Sequence, residues 1–500
     1  MLVDCRTLPA GHVVEADVCI VGGGAAGITL ALALSGSGQK VALIESGSEY
    51  PDVRTQALYA GRNVGRAYFG LDGCRTRLFG GSTNCWTGLC RPLDPIDFEA
   101  RAAVPDSGWP FTFDDLVPYY RRAQPLCQVG PFDYDPAAWA GSGDRAPLPF
   151  ARRVVTRMFQ FSPPTNFGRV HGKTLIESKD VTVHMNGNVV DIATDAEARH
   201  VTGLAIACLD GPRLRVRARA YVLACGAIEN ARLLLAANSV ATNGLGNRHD
   251  LVGRYFMEHP HLDLDGFVQP SRVDLGTRLY TPHEVRGTRV TGYLTLAEEV
   301  LRGEGLTNVT LTFYFATKEV SDEHTASARS VASVVHEIDR GAPLDAARRP
   351  GMWGVNSACE QIPNRESRVT LDPSERDELG VPRSVLDWRL TARDKRNLRR
   401  VHRIVAEEFA RAGLGRFRIT LRDDDEWPDA VHGGFHHMGT TRMNDAPERG
   451  VVDRNGRVHG MDNLFVAGAS VFPTSGAANP TLTIVALALR LADHLRETVR

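Results

Sequence analysis

The sequence predicts an α/β fold, α+β overall, with one unit built on a parallel sheet and a second on a mostly antiparallel sheet. Three observations lead there. Residues 16–47 read as strand, glycine-rich turn, helix and strand. Residues 463–495 read as strand, loop and apolar helix. Between them, from about 271 to 430, stretches such as VTGYLTL and NVTLTFYFA alternate apolar and polar side chains, which suits strands with one wet face. At 500 residues the chain is too long for one small core, so two units are expected.

Composition narrows the class. Hydrophobic residues make up 43% and charged residues 23%, the profile of a soluble globular protein. A net charge of −1 points to no nucleic-acid and no anionic-membrane partner. Nine cysteines without a C-x-x-C pair give no zinc spacing and no disulfide framework. No metal is expected, and a reducing cytoplasm is the expected location. The uncharged run from Val18 to Leu34 holds three consecutive glycines and lacks a cationic flank, so it is neither signal peptide nor membrane span.

In chain order, Val18 to Val21 predicts a buried strand and Gly22-x-Gly24-x-x-Gly27 follows at once. These glycines permit a tight turn, close approach of a pyrophosphate and close helix–strand packing. Ile28 to Leu34 predicts an apolar helix whose N-terminus, at Ala26, offers N–H groups to phosphates. Val41 to Ile44 predicts a second strand ending in Glu45, placed to accept from ribose hydroxyls. Together they form a Rossmann-like signature for an adenine dinucleotide. The acid argues against NADP and leaves NAD and FAD unseparated.

Two later stretches favour FAD. RTRLFGGSTNCWTGLCRPLDPIDF (75–98) places Gly81, Ser82, Asn84, Cys85 and Thr87 in a loop that can lie along a flat ring system. NLFVAGASVFPTSGAANPTLTIVALALRLADHL (463–495) has a strand ending at Gly468 and Ala469, then a helix opening at Pro480 and Thr481. The positive end of that helix would stabilise a reduced flavin's negative charge.

With these motifs in place, the sequence resembles the glucose–methanol–choline (GMC) flavin oxidoreductases nearly end to end. The resemblance rests on Gly22/Gly24/Gly27 with Glu45, on GGSTNCWTG, VLACGAIENARLL (222–234), FHHMGTTRM (435–443) and NLFVAGASVFPTSGAANPT. SGWPFTFDDLVPYY (107–120) and EQIPNRESRV (360–369) look like the sugar-oxidising bacterial branch, which holds pyranose and C-glycoside oxidases and aminoglycoside dehydrogenases. The resemblance implies a Rossmann-like FAD-binding domain and a mostly antiparallel-sheet substrate domain. It implies hydroxyl oxidation to a carbonyl, with hydride passing to flavin N5. Val189 joins the residues above as an expected cofactor contact.

The family places its base at a histidine followed by two residues and Gly-Thr. Here that spacing selects His436 over His437, and Asn479 before Pro480-Thr481 is its expected partner. A positioned base contributes roughly 10²–10⁴-fold. His437 is expected to pack nearby or touch flavin or substrate. Some relatives carry a flavin-linked histidine near position 85. Here Cys85 is expected to be a small packed residue, with FAD noncovalent.

Glu360 and Gln361 are substrate-contact candidates, and Trp109 and Trp353 could stack on a sugar, although core packing is the commoner fate of a tryptophan. The acids Asp423 to Glu426 would lend the pocket mouth a negative potential if they faced it; otherwise they form a solvated turn. The charged stretch 318–330 is read either as a lid or as a solvated loop or helix. The motifs divide the chain into an FAD unit of 1–270 and 431–500 and a substrate unit of 271–430. The expected substrate is a carbohydrate, an amino sugar or aminoglycoside among them, and the electron acceptor is oxygen or another oxidant. Alternatives are a benzylic, aliphatic or sterol alcohol, and a hydroxynitrile lyase with a non-redox flavin.

Overall fold

The computed structural model describes residues 1–141, 143–271, 275–315 and 352–499; the stretch 318–330 lies outside the described residues. Six parallel strands form the first sheet. Their order is Leu2–Asp4, Val181–Met185, Val41–Ile44, Val18–Val21, Ala220–Leu223 and Leu464–Val466. The central strands Val18–Val21, Val41–Ile44 and Ala220–Leu223 are buried along their whole length. Their continuous apolar sequences follow from that, because a parallel sheet is covered on both faces. Helix Ala25–Leu34 is made almost wholly of alanine, leucine and isoleucine. It packs against helices Thr481–Thr498 and Phe167–Glu177, with Gly36 at φ +76° just beyond its end.

The second sheet is antiparallel and larger. Its path runs Gly415–Ile419, Pro260–Pro270, Trp353–Cys359, Val309–Phe315, Thr288–Leu296, Val154–Phe161 and Leu89–Cys90. Helix Ala392–Arg411, started by a Thr391–Asp394 capping box, shares a core with it through Leu398, Val401, Ile404, Val405 and Phe409. The short strand His432–Gly433 pairs with Pro260 and His261. That pairing carries the residues after 433 to the boundary between the two sheets.

Sheet membership departs from the motif-based division of the chain. Leu89–Cys90, Val154–Phe161 and Pro260–Pro270 come from within 1–270 yet belong to the antiparallel sheet. Conversely, Arg368–Arg376 and Pro382–Asp387 from within 271–430 join Gly61–Asn63 in a separate three-stranded sheet beside helix Ala227–Ala236. Long connections let strands cross between layers, and motif positions do not report such crossings.

Candidate active site

One cavity opens beyond the C-terminal ends of the parallel strands, where ligands sit in sheets of this kind. Three helix N-termini converge on it. Helices Ala25–Leu34, Ala227–Ala236 and Thr481–Thr498 start after Gly24, Gly226 and Pro480, and none has a side-chain cap. All three cap residues line the cavity. Uncapped N–H groups and three positive dipole ends suit an anionic pyrophosphate and an electron-rich ring. The glycines make the close approaches possible. A Cβ on Gly27 would stand 1.8 Å from the Gly22 carbonyl oxygen, and one on Gly81 would stand 2.8 Å from Gly24 Cα. Glu45 braces the loop by accepting from Gly23 N and Gly47 N, each at 2.6 Å.

The other end of the cavity holds the paired histidines. His436 Nε2 lies 3.1 Å from Asn479 Nδ2, and His436 Nδ1 lies 2.9 Å from His259 Nδ1. His437 also lines the cavity, but its Nε2 lies 2.9 Å from the Tyr68 hydroxyl and not against Asn479. Glu258 ties the segment together. Its Oε2 accepts from His259 N at 3.2 Å, Gly434 N at 3.1 Å and His436 N at 3.0 Å, and Tyr68 donates to its Oε1. Burial holds His436 well below the ordinary histidine value, with the imidazoles of His259, His261 and His437 adding to it. Burial likewise lowers His437 to about 3 and raises Glu258 to about 7. His436 is therefore neutral near pH 7 and has a nitrogen lone pair to offer.

Comparison with known proteins agrees with this geometry. Residues 363–488 match the GMC oxidoreductase family and residues 17–52 match an FAD binding domain. The 6'''-hydroxyparomomycin C oxidase of Streptomyces lividus is 29% identical, the match covering 96% of this chain and 92% of that one. The paromamine 6'-oxidase of Streptomyces fradiae is 26% identical over 95% and 90%. The solved pyridoxine 4-oxidase from Mesorbium loti has the same fold, with a TM-score of 0.61 at 20% identity over 96% and 99%.

The chain carries a GMC oxidoreductase C-terminal domain and an FAD-binding domain.

It is an FAD-dependent alcohol oxidoreductase. The cavity fits FAD through the three helix N-termini and the glycine cradle. Of the sequence-predicted contacts, Gly22, Gly24, Ala26, Glu45, Gly81, Ser82, Cys85, Thr87, Val189, Gly468, Ala469, Pro480 and Thr481 line it. Gly27 and Asn84 do not. Gly27 packs behind the loop, and Asn84 donates to Phe79 O at 3.1 Å and Gly81 O at 2.7 Å, so it shapes the loop from within. Cys85 lies on the cavity wall with Sγ 3.3 Å from Thr76 Oγ1.

Glu360 and Gln361 stand away from the cavity wall, while the tryptophans and the acids 423–426 follow the core-packing and solvated-turn readings. Glu360 is buried, takes Arg101 Nη1 at 2.9 Å and accepts from Asn308 N at 2.8 Å. Gln361 accepts from Glu258 N at 3.1 Å and Trp388 Nε1 at 3.0 Å. Neither lines the cavity; both brace the chain behind it. Trp109 is buried against Phe98 and Phe472, and Trp353 against Phe313, so neither ring is open to a sugar. The acids 423–426 do not reach the cavity mouth. Helix Ala392–Arg411 pairs with three of them: Lys395 with Asp424, Arg396 with Asp425 at 2.7 Å, and Arg399 and Arg403 with Asp423 at 3.0 and 2.8 Å.

Sequence reasoning missed several residues. Arg75, Arg77, Tyr59 and Glu229 line the nucleotide end. Both guanidiniums lie over the Tyr59 ring and pair with Glu229, at 3.3 Å from Arg75 and 2.8 Å from Arg77. At the reacting end, Glu258, His259 and Tyr68 were missed. EHPH (258–261) was a readable signal, since an acid and two histidines in four residues at the start of a strand are unusual.

Proposed function

We propose that this oxidoreductase converts a hydroxyl group of a carbohydrate, an amino sugar or aminoglycoside, to the carbonyl. The observation that carries the reading is the pairing of His436 Nε2 with Asn479 Nδ2 on the wall of the FAD cavity. The relatives named as oxidases of 6'''-hydroxyparomomycin C and of paromamine support the substrate class. In this reading the glycine cradle and the three helix N-termini would hold FAD, which would supply the hydride acceptor. His436 Nε2 removes the hydroxyl proton, and the Asn479 amide donates to the substrate oxygen and aims its O–H at His436. Burial keeps His436 neutral until it takes that proton. Glu258 fixes the backbone at 434 and 436, so the imidazole needs little reorganisation. His437 supports the pocket through Tyr68.

The FAD unit is drawn mainly from 1–270 and 431–500, apart from the strands of 1–270 that cross into the antiparallel sheet, and the substrate is held mainly against 271–430. Oxygen is the acceptor, in line with the relatives named as oxidases. All nine cysteines are free, which supports a reducing cytoplasm. An anaerobic panel of amino sugars, neutral sugars and simple alcohols tests the reading. Aminoglycoside alcohols bleach the bound flavin, and oxygen uptake follows on readmission of air. Bleaching by apolar alcohols alone contradicts the substrate class, and turnover without bleaching contradicts the redox chemistry.

A further inference from the structure

The histidine behind the reacting pair determines which nitrogen of His436 can act. His259 is 1% exposed, and its ring meets His436 edge-on with centroids 4.9 Å apart. Its Nε2 lies 3.2 Å from the carbonyl oxygen of Ser475. A carbonyl only accepts, so this nitrogen carries hydrogen. A neutral imidazole has one N–H, which leaves His259 Nδ1 as an acceptor. The 2.9 Å contact between the two Nδ1 atoms needs one proton between them, and that proton belongs to His436. His436 Nε2 then holds the lone pair. The far end of the chain agrees independently, because Asn479 Nδ2 is a donor and stands 3.1 Å from that same Nε2.

We propose that His259 is a positioning residue that locks His436 in the Nδ1–H tautomer and shares its charge during proton transfer. The inference rests on His436 being the base. In the step, the substrate O–H bond breaks, its proton bonds to His436 Nε2, and the electron pair stays on the substrate oxygen. His436 Nδ1–H remains bonded to His259 Nδ1, so the new cation meets a lone pair already aimed at it. Without His259 the proton on His436 is free to sit on Nε2, where it blocks the reaction. The charged and titratable groups around the pair are Glu258 and His261 on the same strand, His437 and Tyr68 beside it, and Glu360 across from His259.

Nitrogen-15 spectra of histidine-labelled holoenzyme read the tautomers directly, with assignments taken from the His436→Ala and His259→Asn spectra. The expected result is pyrrole-type Nδ1 and pyridine-type Nε2 for His436, and the reverse for His259. The opposite pattern at His436 overturns the proposal. Anaerobic flavin reduction gives the second readout. His259→Phe keeps the ring volume without the acceptor and slows reduction about 10²-fold, with a shifted pH midpoint. His259→Asn keeps an acceptor and a donor and stays within about 10-fold of wild type. Equal rates and midpoints in His259→Phe and wild type overturn the proposal, provided that His436→Ala is inactive. An active His436→Ala removes the base assignment itself, which the spectra distinguish. If His259→Phe fails to hold FAD, the wild-type spectra alone decide.

Discussion

Glu229→Gln keeps the shape of the side chain and removes its charge from the wall of the FAD cavity. Three guanidiniums depend on that charge: Arg75 at 3.3 Å, Arg77 at 2.8 Å and Arg232 at 2.9 Å. Their side chains are 8%, 6% and 3% exposed, so water cannot take over. Burial by itself would raise the Glu229 carboxyl, yet Arg232, Arg77 and Arg75 pull it from 4.5 to about 2. That drop corresponds to about 3 kcal/mol of preference for the charged form. Removing one partner of a buried pair costs about 3–5 kcal/mol, which agrees. In the variant Asp377, 2.6 Å from Arg232, and the Glu45 charge near Arg77 still partly balance the cluster. For a chain of this length each kcal/mol moves Tm by about 1 °C, so the holoenzyme melts about 3–5 °C lower and releases FAD at lower urea. Calorimetry with Glu366→Gln as control provides the test. Glu366 is 62% exposed beside Arg254, and its loss costs under about 0.5 kcal/mol. Equal melting of Glu229→Gln and the control would refute this reasoning.

Gly27→Ala places a methyl 1.8 Å from the Gly22 carbonyl and must displace the nucleotide loop; the purified protein is expected to lack FAD absorbance, and a full flavin complement contradicts that. His437 is held near 3 by burial against an ordinary 6.5, so its stabilising effect is complete above pH 6.5 and is lost as pH falls toward 3. At pH 5 the loss is about 2 kcal/mol, and His437→Gln should therefore gain about 2 °C in Tm on wild type between pH 6.5 and 5; parallel Tm profiles contradict the sign. Glu258, raised to about 7, acts oppositely, its stability lost as pH rises from 4.5 toward 7. Glu360→Gln breaks the buried pair with Arg101 and should lower Tm by about 3–5 °C with KM within about 2-fold, whereas a raised KM with unchanged Tm restores it as a substrate contact.

The legible parts of the molecule are those whose cause is local. Gly22, Gly24 and Gly27 stand within six residues of one another, and the strand, turn and helix they join are set by neighbours in sequence. His436 and Asn479 were legible through motif spacing. Glu258 and His259 meet His436 across about 177 residues, through the pairing of His432–Gly433 with Pro260–His261, and no local pattern encodes that register. Glu360 misled because a carboxylate just past a strand end looks the same from sequence whether it faces a sugar or an arginine; only the position of Arg101 decides. The acids 423–426 read as a solvated turn or a pocket mouth, and their partners on a helix some 20–30 residues earlier decide for the turn. Sheet crossing by Val154–Phe161 follows from three-dimensional pairing alone.

The central claim is that His436 takes the proton of a carbohydrate hydroxyl beside bound FAD. Stopped-flow flavin reduction under anaerobic conditions, with an aminoglycoside alcohol and wild type, His436→Ala and His437→Ala, tests it most directly. The account predicts rapid bleaching in wild type, a loss of roughly 10²–10⁴-fold in His436→Ala with FAD retained, and a loss under about 10-fold in His437→Ala. Comparable losses in the two variants contradict it.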